Sequence, residues 1–161
     1  LKRSVRMSSY FDNAFRKTDE TIDFLCKKLT DGSFGKIDFI TGIGMSGTLL
    51  LLSVSRQIKI PFVALRKEGE SSHSKSDVFS FDPLVRNKYV IIDDFIETGN
   101  TINGILEKMR YMQCMGILLY QSSESLHQKA VELFPELRIC SSYDFKKTFF
   151  AEGVKNEDNS R

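Results

Sequence analysis

At 161 residues the chain is the size of one domain and long enough to bury a core. Its charges nearly cancel, 23 Lys and Arg against 21 Asp and Glu, which is not the basic excess of a dedicated nucleic-acid binder. The longest apolar run, Leu49-Leu50-Leu51-Leu52, falls far short of the roughly 20 residues that span a bilayer.

In chain order, the basic start Leu1–Arg6 has no apolar stretch behind it and does not read as a secretory signal. Thr18-Asp19-Glu20 opens a helix, with Thr18 as cap and acids in the first turn. Ile22, Leu25, Cys26 and Leu29 supply its apolar face, and Asp31-Gly32 closes it. Residues 37–41 read as a buried strand, Gly42–Gly47 as a break, and Thr48 to about Arg56 as a helix. Pro61–Leu65 is a second strand. The polar stretch from Arg66 to Ser80 has no apolar period and reads as a loop longer than ordinary connections. Tyr89–Asp93 is a third strand, Ile102, Ile105, Leu106, Met109 and Met112 mark a helix, and Ile117–Tyr120 is a fourth strand. Leu126, Ala130, Leu133 and Phe134 mark a helix ended by Pro135, and residues 137–140 are a last strand. Three scattered cysteines without C-x-x-C spacing suit a reducing, cytoplasmic compartment, and two histidines are too few for a structural zinc site.

Near-continuous apolar strands alternating with helices predict a single α/β domain, a parallel sheet flanked by helices on both faces. Such sheets bind ligands beyond the carboxyl ends of their strands, which singles out 42–47, 66–80 and 93–101. The last is the richest. Asp93 and Asp94 stand where a buried strand ends, and Thr98-Gly99-Asn100-Thr101 opens a helix whose amides and hydroxyls form an anion cradle. Carboxylates repel phosphate, so they need another partner, either vicinal sugar hydroxyls or a divalent cation. A phosphate cup beside acids that grip a diol describes a ribose-5-phosphate site.

Val90-Ile91-Ile92-Asp93-Asp94-Phe95-Ile96-Glu97-Thr98-Gly99-Asn100-Thr101 resembles the phosphoribosyl pyrophosphate (PRPP) motif of type I phosphoribosyltransferases. The resemblance covers roughly residues 37–121 and implies that Asp93 and Asp94 hold the ribose hydroxyls. Thr98, Gly99, Asn100 and Thr101 would then hold the 5′-phosphate. Gly42-Ile43-Gly44-Met45-Ser46-Gly47 is similar to the family's pyrophosphate loop, with Ser46 where many members carry Arg. Arg66-Lys67 is similar to the start of the family's catalytic lid, with Lys67, His73 and Lys75 as candidates to touch pyrophosphate. The core would span about 17–141. A small hood from 1–16 and 141–151 would recognise the base, and 152–161 would be a polar tail.

The function so implied is transfer of 5-phosphoribosyl from PRPP to a nucleobase with release of pyrophosphate. Mg²⁺ would act through PRPP and water near Asp93 and Asp94, in a cytoplasmic homodimer without nucleic-acid or membrane partners. Glu97 and Lys67 are the candidate catalytic residues. Glu97 occupies the position of an acid that serves 6-oxopurines in similar enzymes, whereas Arg66-Lys67 points to adenine or orotate. A PRPP sensor without transfer activity is the rival from another class.

Overall fold

The structure, a computed structural model, describes residues 18–66, 78–79 and 87–144. Helix α1 (Thr18–Thr30) carries acids in its first turn and Lys27 and Lys28 in its last, the arrangement the helix dipole favours. It is closed by Asp31, whose carboxylate accepts from the Ser33 amide at 2.8 Å and pairs with Lys28 at 3.0 Å. Then follow β1 (Phe39–Ile43), α2 (Gly44–Ile58), β2 (Phe62–Leu65), β3 (Val78–Phe79) and β4 (Lys88–Asp93). The chain continues through α3 (Asn100–Lys108), β5 (Gln113–Leu119), α4 (Glu124–Leu133) and β6 (Ile139–Ser141).

Among the described residues the strands form one six-stranded sheet in the order β3-β2-β1-β4-β5-β6. All neighbours are parallel except β3, which pairs antiparallel on the β2 edge. Strand side chains alternate between the faces, and this period of two divides the core. Ile40, Ala64, Val90, Ile92 and Leu118 meet Leu25 and Leu29 of α1 and Leu51 and Val54 of α2 on one face. Phe39, Val63, Leu65, Ile91, Ile117 and Leu119 meet Ile102 and Ile105 of α3 and Ala130 of α4 on the other. The expected parallel α/β layering is therefore present, with β3 as an unforeseen antiparallel edge.

Boundaries differ in instructive places. Residues 42–47 are not a break: β1 runs on through Gly42 and Ile43, and α2 begins at Gly44 rather than Thr48. Gly42 is demanded by close approach, since a Cβ there would stand 2.9 Å from the Ile92 carbonyl oxygen and 3.3 Å from Leu51. Helix α3 stops at Lys108, yet Met109 stays buried because its amide still bonds the Ile105 carbonyl at 3.0 Å. Strand β5 starts four residues earlier than its apolar run, at Gln113 rather than Ile117. No helix among the described residues is long and apolar enough to cross a membrane. Lys67, His73 and Lys75, residues 1–16 and 145–151 of the expected hood (1–16 and 141–151), and the tail 152–161 lie outside the described residues.

Candidate functional site

The strand order reverses between β1 and β4, both parallel, so their carboxyl ends diverge into a crevice. A cleft of about 370 Å³ occupies that place. Ile43 from the end of β1 forms one wall, and Asp93 through Thr98 with Gly99, Thr101 and Ile102 form the rest.

The loop from Asp93 to Gly99 is fixed by its own sequence. The Asp93 carboxylate accepts from the Asp94 amide at 3.0 Å, and the Asp94 carboxylate accepts from the Phe95 amide at 2.9 Å. Each acid thus spends an oxygen on turning the chain out of β4, which fixes its carboxylate at the cleft mouth. From β5's end, the Tyr120 and Gln121 amides donate to the carbonyls of Asp93 and Asp94 at 3.1 and 2.8 Å. Ile96, only 2% exposed, plugs the loop into the core between Asp94 and Glu97. The loop is therefore anchored at both ends and in the middle, and it holds half-buried carboxylates in fixed positions.

Gly99 caps α3 with φ +80° and without a side-chain cap, and the Asn100 amide reaches Thr98 Oγ1 at 3.4 Å. A Cβ at Gly99 would lie 3.1 Å from the Phe134 ring, so glycine is required by conformation and by contact. First-turn amides have no intrahelical partner, and together with exposed Thr98 and Thr101 they offer donors at a helix start that lines the cleft, an arrangement suited to an anion. Asn100 heads the same turn but is not among the lining residues.

Thus Asp93, Asp94, Glu97, Thr98, Gly99 and Thr101 are brought together as expected, with Glu97 exposed on the rim. Of residues 42–47, Ile43 lines the cleft and Gly42 lies behind it. The side chains of Met45, Ser46 and Gly47 are outside the described residues, and Gly44 opens α2. Arg66 is half-buried at the end of β2, outside the lining, its carbonyl held by Lys108 Nζ at 2.7 Å. Among the described residues no group of three or more His, Cys, Asp or Glu side chains could hold a metal by itself. The carboxylates of Asp93 and Asp94 do suit a hard cation that brings water and phosphate oxygens of its own.

Two features escaped the sequence reading. One is Ile96 as the anchor of the loop. The other is Ser141-Ser142-Tyr143-Asp144, a Ser-x-x-acid capping signature, in which Asp144 accepts from the Ser141 amide and hydroxyl, both at 3.1 Å. Tyr143, within the segment expected to contribute to the hood, is turned onto α4 against His127, ring centroids 6.2 Å apart.

Residues 15–142 match the phosphoribosyl transferase domain family. The adenine phosphoribosyltransferase of Agrobacterium fabrum is 30% identical over 90 residues, 48% of this chain and 50% of that protein. The hypoxanthine/guanine phosphoribosyltransferase of Methanocaldococcus infernus is 31% identical over 96 residues, 53% of this chain and 52% of that protein. In these alignments the chain spans about half the length of each curated relative. The crystal structure of orotate phosphoribosyltransferase from Francisella tularensis superposes with a TM-score of 0.58 at 21% identity, covering 85% of this chain and 70% of that one. The family match takes in every described element from α1 to β6, so the chain belongs to the phosphoribosyl transferase domain family.

Proposed function

We propose that this chain transfers the 5-phosphoribosyl group of PRPP to a ring nitrogen of a nucleobase and releases pyrophosphate. The observation that carries this reading is one cleft, at the reversal of strand order, lined by both a carboxylate pair and a helix start whose free amides suit an anion. Asp93 and Asp94 accept hydrogen bonds from the ribose 2′- and 3′-hydroxyls. The amides and hydroxyls from Thr98 to Thr101 hold the 5′-phosphate. With both ends of the sugar phosphate gripped, the anomeric carbon is presented in a fixed orientation, the main catalytic gain available to such a site. The bond from that carbon to the pyrophosphate oxygen breaks, the bond to the base nitrogen forms, and the base gives up its ring proton.

Pyrophosphate leaves toward the β1 and β2 side, where residues 42–47 with Arg66 and Lys67 complete its site. Asp93 and Asp94 would hold Mg²⁺ through PRPP and water, and the bound ion would supply positive charge for the departing pyrophosphate. Adenine, hypoxanthine, guanine and orotate are the bases in the names of the similar proteins. Glu97 on the cleft rim is suited to take the ring proton of a 6-oxopurine. In the same reading the protein works as a cytoplasmic homodimer without nucleic-acid or membrane partners, which sedimentation of the purified protein checks for its oligomeric part.

The test is pyrophosphate release from PRPP and Mg²⁺ with adenine, hypoxanthine, guanine, xanthine and orotate in turn. Release with at least one base is expected, and release with none contradicts transfer to these bases and favours a PRPP sensor. If the active base is a 6-oxopurine, Glu97→Gln lowers kcat by about 10²-fold, the range of general-base contributions. Full turnover by that variant would remove Glu97 from the mechanism.

A further inference from the structure

Glu124 and His127 of α4 meet Tyr143 and Asp144 away from the cleft lining, in a polar cluster to which the transfer reaction assigns no part. His127 Nδ1 is buried, the side chain only 17% exposed, and it stands 3.4 Å from Asp144 Oδ2 without a hydrogen bond among the described residues. A buried ring nitrogen without a hydrogen bond is costly, and Asp144 Oδ2 is the polar atom that stands nearest to it. Asp144 is itself fixed by the Ser141 amide and hydroxyl, and the Ser141 hydroxyl accepts the Asp144 amide at 3.4 Å. Tyr143 stands against His127, ring centroids 6.2 Å apart, and Glu124 beside it pushes its phenol pKa up. Ser142 Oγ accepts from the Ser122 amide at 3.3 Å, which ties the turn to the end of β5.

The turn's place follows from strand register. Asp93 pairs with Leu119, and Leu119 pairs with Ser141, so the cleft acid and the capping serine end their strands level. Two strand spacings separate them, roughly 10 Å. If pyrophosphate departs toward β1 and β2, the base nitrogen approaches the anomeric carbon from the opposite side. On that side the sheet continues past the cleft lining to the ends of β5 and β6, residues 120–123 and 141–144.

From these contacts we infer that His127 is a positioning residue for the acceptor: paired with Asp144, it locks residues 141–144 onto α4 and fixes that turn on the side from which the acceptor approaches. The inference rests on the transfer reaction proposed above and deepens it. His127 touches neither substrate; it acts through Asp144 and the capping turn.

The variants His127→Phe, Asp144→Asn and His127→Asn test it, with Asn retaining a short donor near the position of Nδ1. His127→Phe and Asp144→Asn are expected to raise the acceptor KM about tenfold and leave PRPP affinity within about twofold, with His127→Asn restoring most of the loss. Amide exchange at Ser141 and Asp144 is expected to speed up about tenfold in His127→Phe and not in His127→Asn. An unchanged acceptor KM, or equal losses for acceptor and PRPP, overturns the positioning role. Unchanged amide exchange overturns the lock itself, whether or not a base is turned over. A wild-type protein that transfers to no base contradicts the proposed reaction, and with it the acceptor role, while exchange still judges the lock separately.

Discussion

Asp94 takes one amide hydrogen bond within its own turn, and among the described residues its other oxygen, Oδ2, accepts none. A hydrogen bond to a charged group contributes about 1.5–3 kcal/mol, so Asp94→Asn is expected to weaken PRPP binding by roughly 10- to 150-fold with little change in thermal stability, measured by titration and melting. The cysteines are the contrasting case of residues excluded from chemistry. Burial raises the thiol pKa of Cys26, with Asp23 adding to it, and burial likewise raises Cys114. Burial also raises Cys140, against the opposing pull of Arg138 and Lys28. At pH 8 all three should alkylate more slowly in the folded than in the unfolded protein, read by mass spectrometry after timed iodoacetamide exposure. The sign for stability follows: folded thiols bind their protons more tightly, so stability is full below the unfolded thiol pKa of about 8.5 and declines as pH rises through the raised folded values. Asp93, Asp94, Thr98 and Thr101 were legible as a candidate site because they crowd into nine residues at a strand's carboxyl end, whereas singly each also suits a turn or a cap. Ile96 and His127 were not legible, because their roles lie in contacts that sequence spacing does not show.

Helix α3 has one glycine at its cap and one in its interior, with opposite standing. Gly99, at φ +80° with Phe134 against it, cannot accept a side chain without strain, whereas Gly104 has open space around the position of a Cβ. Gly99→Ala is expected to destabilise the protein by about 1–3 kcal/mol and to weaken phosphate binding. Gly104→Ala is expected to stabilise it by about 0.4–1 kcal/mol, through helix propensity and a less free unfolded chain. Urea unfolding of both variants separates these signs. Periodicity read most elements well, since β2, β4 and α4 carry unbroken apolar patterns between clear stops such as Pro135. It failed where glycine does packing rather than turning. Gly42 sits inside β1 because Ile92 and Leu51 crowd it, so a segment that looks like a loop is a strand passing directly into a helix. Strand β3 is two residues long, too short to show alternation, and Gly116 interrupts the pattern that would mark the first half of β5.

At the scale of the whole molecule, the order β3-β2-β1-β4-β5-β6 makes a site out of residues far apart in sequence. Ile43 and Asp94 share a cleft because β1 and β4 are neighbours whose connections leave in opposite directions along the sheet. The motif at 90–101 was legible as one stretch of chain, but the facing wall and the level ends of β4, β5 and β6 follow only from strand pairing. The central claim is that this cleft holds PRPP with its diol on Asp93 and Asp94 and its 5′-phosphate at the start of α3. Calorimetric titration with PRPP and Mg²⁺ tests it most directly, on the wild type and on the double variant Asp93→Asn/Asp94→Asn. Saturable one-site binding by the wild type and its loss in the double variant is the predicted result. No binding by the wild type, or equal binding by the double variant, would contradict it.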